Sequence, residues 1–91
     1  MPNVLSDSRT NLSVYIFTND HNPAHVHVFK GRKSARKGYV KINIGSSIAP
    51  PSLVIITDEE VKSRDIVNAL NLVAEHQDYL LECWSKYHGN S

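Results

Sequence analysis

Ninety-one residues, 41% apolar and 21% charged with a formal net charge of +1, suffice for one folded domain and are too few for two. That balance argues against a disordered chain, and the lone Cys83 excludes an internal disulfide. The longest apolar run, Leu53-Val54-Ile55-Ile56, is far short of a membrane span, and no N-terminal apolar run resembles a signal peptide, so the expected setting is a reducing cytoplasm.

Met1 to Asn11 is polar apart from Val4 and Leu5 and reads as a flexible N-terminal arm, leaving residues 12–91 as a single α+β domain. Leu12 to Thr18 alternates aliphatics (Leu12, Val14, Ile16) with Ser13, Tyr15 and Phe17, the periodicity of a strand. Asn19 to Pro23 is a turn by composition: Asn and Asp bond nearby backbone, and proline fixes φ. Ala24 to Lys30 alternates again, with Val26 and Val28 on one face and His25, His27 and Phe29 on the other. After the basic connection Gly31-Arg32-Lys33-Ser34, a third strand spans about residues 35–44, with Val40, Ile42 and Ile44 against Tyr39, Lys41 and Asn43. Gly45-Ser46-Ser47 and Pro50-Pro51 make a loop. Leu53 to Thr57, wholly apolar at its core, predicts a fourth strand in a central or well-covered position.

Thr57-Asp58-Glu59-Glu60 has the form of a capping box, with Ser63-Arg64-Asp65 a competing helix start. From one of these a helix runs to about Tyr87, with Gly89 a natural stop. Its stripe is Ile66, Leu70, Val73, Leu80 and Trp84, flanked by Ala69, Leu81 and Tyr87; Gln77 interrupts it, so the helix can kink near His76. Cys83 and Trp84 read as core residues. The predicted fold is α+β: a four-stranded antiparallel meander with one long C-terminal helix packed on one face.

One helix covers one face, and the aliphatic face of the sheet matches its stripe. Tyr15, Phe17, His25, His27, Phe29, Tyr39 and Lys41 are then expected on an uncovered face, an interface candidate that the N-terminal arm or a second copy of the chain in a homodimer could equally cover. Charge is segregated too. Residues 1–45 carry seven cations against two acids, and residues 46–91 carry three cations against seven acids. Such polarity can attract an anionic partner, or it can be no more than a solvated hairpin and a solvated helix.

Three histidines fall within seven residues. His25 and His27, two apart on a strand, point the same way with Cα atoms roughly 6–7 Å apart, while His21 and Asp20 lie in the preceding turn. Imidazoles so placed can bind a metal, and His76 or His88 could add a ligand, but the spacing matches no familiar zinc pattern. They can divide metal-free acid–base work, one accepting a proton while the other donates. Ribonuclease-type cleavage needs that pair plus a cation such as Lys41 or Arg36. Or they can be structural, each bonding a backbone group or a carboxylate. Lys30, Arg32, Lys33, Arg36 and Lys37, with Lys41 beside them, form a candidate nucleic-acid surface next to aromatic side chains. No nucleotide loop, serine nucleophile motif or carboxylate pair is visible, and no metal or cofactor is assigned.

The stretch Asp20-His21-Asn22-Pro23-Ala24-His25-Val26-His27-Val28 resembles the Asp-His-x-Pro-[Pro/Ala]-His-[Val/Phe]-His signature of a family of small bacterial proteins of unknown function, with Ala24 replacing the commoner second proline. Ala69-Leu70, Leu80-Leu81, Trp84 and His88-Gly89 resemble the family's closing helix, so the likeness covers roughly residues 12–89. The resemblance implies a gene paired with that of another small protein in a toxin–antitoxin-like module, with this chain on the toxin side. The expected function is therefore a toxin-type component, held by a small antitoxin-like partner and acting on RNA or another nucleic acid, with His25, His27, His21 and Asp20 as its catalytic candidates. The alternatives are a non-enzymatic interaction or nucleic-acid-binding module, and a metal-dependent hydrolase or metal sensor.

Overall fold

A computed structural model of the chain describes residues 3–18, 21, 23–31, 37–56 and 61–88, with the side chains of 37–39 excepted. The predicted elements at Thr57 to Glu60 and at Gly89 lie outside these residues. Five strands form one antiparallel sheet in chain order: β1 (Asn3–Asp7), β2 (Leu12–Tyr15), β3 (His25–Lys30), β4 (Lys37–Asn43) and β5 (Ser52–Ile56). Two helices follow, α1 (Ser63–Glu75) and α2 (Gln77–His88). The α+β class and the meander agree with the sequence reading; the strand and helix counts do not.

The additional strand, β1, lies in the segment expected to be an arm. Asn3 pairs with Tyr15 and Asp7 with Leu12. The turn between them is held by side chains: Thr10 Oγ1 donates to Asp7 Oδ2 at 2.6 Å, the Arg9 amide donates to Asp7 Oδ1, and Asn11 takes a left-handed φ of 61°. Asp, then Thr three residues on, then Asn is turn chemistry that composition alone does not separate from a polar tail.

The core is the aliphatic face of the sheet under the helices: Val14, Ile16, Val26, Val28, Ile42, Ile44, Val73 and Leu80 are all sealed from solvent. Cys83 and Trp84 join it, as expected. In α1 the buried residues are Ala69, Leu72 and Val73, while Ile66 and Leu70 from the predicted stripe are only half-buried. The helix starts at Ser63, after Lys62, which makes no side-chain cap.

The single long helix is divided at His76, whose φ of −117° and ψ of 24° are not helical. Gln77, the residue that interrupts the stripe, is the reason. Its Nε2 donates to the carbonyls of Ile44 (2.9 Å) and Ala49 (3.1 Å) at the end of the sheet. Thus α1 leaves the Lys30 end of β3, where Lys30 Nζ meets Asp65 Oδ1 at 3.0 Å, and reaches the opposite end of the sheet. There α2 turns across toward β1, where Tyr79 Oη donates to the Val4 carbonyl at 2.8 Å.

Gly45 makes this joint possible. Its φ is +84°, and a Cβ there would stand 2.5 Å from the Ala49 carbonyl oxygen and 2.8 Å from that of Pro50. A side chain would thus push away the turn that presents Ala49 to Gln77. Gly45→Ala is expected to cost about 2 kcal/mol or more, from the left-handed penalty and the clash, and to lower Tm by roughly 10 °C in a thermal melt.

The Asp7 turn makes a pH-dependent prediction. The Thr10 hydroxyl bond, aided by Arg9, lowers the Asp7 pKa below its ordinary 3.8. A lowered folded-state pKa contributes stability above the unfolded value that is lost as pH falls through the folded one. The Tm difference between the parent protein and Asp7→Asn should therefore be full at neutral pH and vanish in strong acid; a constant difference would remove the carboxylate from the turn's energetics.

Candidate functional site

The Pro23-Ala24-His25 step aims the first imidazole. Proline fixes its own backbone, and its carbonyl faces His25 Nδ1 at 2.9 Å. A carbonyl only accepts, so Nδ1 carries the proton, and in the neutral ring Nε2 is the acceptor nitrogen. The Ala24 carbonyl meanwhile accepts the Ile44 amide at 3.0 Å, which locks the start of β3 onto the end of β4.

His27 follows on the same face. In register it sits opposite Tyr15 of β2 and Lys41 of β4. The His25 and His27 rings meet edge to face with centroids 5.2 Å apart, and Phe17 stacks on His27 at 4.1 Å and 13°. Tyr15 and Phe29 make a further edge contact at 5.5 Å.

This face is not open, contrary to the sequence expectation. His25 is 4% and His27 5% exposed, and Phe29 is buried beside them. Helix α2 accounts for part of this. Because α2 crosses the end of the sheet, the Trp84 ring comes to 5.2 Å from His25. His88, one turn on, stacks on Trp84 at 3.7 Å and 17°. Its Nδ1 faces the Trp84 carbonyl (3.0 Å) and its Nε2 the Phe17 carbonyl (3.1 Å). The neutral ring can donate to only one of these carbonyls at a time, the protonated ring to both. Phe17, His27, His25, Trp84 and His88 thus form a chain of rings that His88 closes back onto Phe17.

The other predicted site residues divide. His21 is exposed in the turn, and no described contact joins it to the pair. Asp20, Arg32, Lys33 and Arg36 lie outside the described residues, as does the side chain of Lys37. Lys30 is engaged at the far end of β3, donating to Asp65 and to the Thr10 carbonyl. Lys41, half-buried, stands opposite His27 in the β3–β4 pairing. Sequence reasoning gave Trp84 to the core and offered His88 only as a candidate metal ligand and as part of the closing helix; it placed neither against the histidine pair, because nothing local to them signals that contact. Among the described residues no three His, Cys, Asp or Glu side chains converge as a metal site. No helix among them is long and apolar enough to cross a membrane.

The family model described as Domain of unknown function (DUF4160) matches residues 11–85, which includes the histidine strand and the helical segment through Trp84. The chain belongs to this family. No curated protein and no solved structure matches it. The matched region of this DUF4160 chain stops short of His88.

His88→Phe keeps a ring over Trp84 but removes the ring-nitrogen contacts to the Trp84 and Phe17 carbonyls, and is expected to lower stability by about 1–3 kcal/mol in denaturant titration. The imidazole resonances of His25 should shift with it. An unchanged spectrum would show that the ring chain is not coupled.

Proposed function

We propose that this DUF4160 chain is the toxin-type member of a bacterial two-gene module, held in check by a small antitoxin-like protein in the cytoplasm, and that it acts on RNA by metal-free acid–base cleavage. One observation carries the reading: two imidazoles in contact, with centroids 5.2 Å apart, and Lys41 paired across the strands with His27. In this mechanism His25, with Nδ1 held by Pro23, takes the 2′-hydroxyl proton at Nε2. His27 protonates the leaving 5′-oxygen, and Lys41 balances the phosphate charge. The remaining cations of the 30–37 segment supply the sequence-independent attraction for the backbone. Rings this deeply covered reach a substrate only when the groups over them move, so cleavage is gated by opening of the face.

The same burial favours a second reading, a non-enzymatic interaction or nucleic-acid-binding module in which the histidines are scaffold. Incubating the purified protein with labelled RNA at two salt concentrations, with and without chelator, separates the two. Cleavage should survive chelator, follow a bell-shaped pH profile, and fall by roughly 10²–10⁴-fold in His25→Gln and in His27→Gln. Cells expressing the double variant should also escape growth inhibition. Intact RNA throughout supports the binding module, and activity that a chelator abolishes transfers the site to metal chemistry.

A further inference from the structure

The two edges of the sheet are built differently. At β1 the edge is polar and blunted: it ends in Asp7, and the Asn3 side chain donates to the carbonyls of Leu5 and Val14. Among the described residues, β5 shows only a register shift opposite Lys41 and Ile42, which leaves Val54 as the extra residue, and the Pro50-Pro51 pair before its first residue. Leu53, Val54, Ile55 and Ile56 are 40–48% exposed, on both faces of the strand, and carry no charge. Ile48, in the turn leading into β5, is 94% exposed. Against the sequence expectation of a covered position, this apolar strand is an edge. Natural edges of this kind are guarded by lysine, proline or a covering element, because unpaired backbone beside apolar side chains recruits another strand.

We infer that β5 is a dimerisation edge that pairs antiparallel with β5 of a second copy, joining two five-stranded sheets into one of ten. The occupant follows from the strand's own chemistry. In the two-fold register that pairs all five residues, Val54 faces Val54, Leu53 faces Ile55, and Ser52 faces Ile56. Every opposition is uncharged, and all but the terminal one are aliphatic pairs, so the edge is complementary to itself. Pro50 and Pro51, lacking amide donors, oppose any slip that would draw residues before Ser52 into the ladder. A contact made by one five-residue strand is at the small end of specific interfaces, so the dimer is expected to be reversible. The inference does not depend on the function proposed above.

Sedimentation velocity over a wide concentration range tests it, with Val54→Lys, Val54→Glu and their equimolar mixture beside the parent protein. The parent should pass from monomer to dimer with rising concentration. Each variant should dimerise roughly tenfold or more weakly, because like charges oppose across the two-fold, and the mixture should recover the dimer. Circular dichroism checks folding, and should either Val54 variant unfold, Ile55→Lys, whose side chain is half exposed, takes its place. A parent that stays monomeric up to about millimolar concentration overturns the proposal and leaves the edge for a strand of another protein. A dimer insensitive to the substitutions overturns it equally, since the contact would then lie elsewhere.

Discussion

The two hydrogen bonds from Gln77 to the carbonyls of Ile44 and Ala49 decide where the final helix goes. A continuous helix from Ser63 would leave the sheet at its far end with Trp84 and His88 in solvent. Pinned at Gln77, the helix breaks at His76 and its second half crosses the sheet end instead. Leu80 then enters the core, Trp84 meets His25, and His88 reaches the end of β2. Each contact at the histidine pair that involves α2 is a consequence of that joint.

Much of the fold was legible because alternation is a strong signal. Leu12-x-Val14-x-Ile16, Val26-x-Val28 and Val40-x-Ile42-x-Ile44 mark three strands and their buried face, and the structure seals those side chains. Three features were not legible. β1 has a mixed pattern, and its pairing depends on a turn whose bonds are made by Asp7 and Thr10. The apolar run in β5 looked like a covered strand, because a sequence cannot distinguish an edge that is covered within the chain from one left exposed. The histidine face looked open because a single straight helix could not reach it; the bend at His76 brings Trp84 there. Proximity of His25 to His27 was predictable from a spacing of two, whereas Trp84 and His88 lie some sixty residues away and come near only through the joint.

The site that results has an internal tension. The proposed acid–base role uses a pair of imidazoles, one oriented by a carbonyl and the other opposite a lysine in the sheet. The pair's burial is what a structural cluster has. The two descriptions are compatible if the ring chain is a closed state, with Trp84 and His88 both fastening α2 to the sheet end and covering the pair. In that state Pro23 and the alternation of β3 place the rings, and the C-terminal helix closes over them.

That closure can be measured on the histidines themselves. Deuterium exchange at the imidazole C–H positions, or reaction with diethyl pyrocarbonate followed by peptide mass analysis, reports each ring separately. Exposed His21 should react readily, with His25 and His27 strongly protected in the same sample. Equal rates at all three would contradict the buried ring chain, and with it the account of how α2 builds the site.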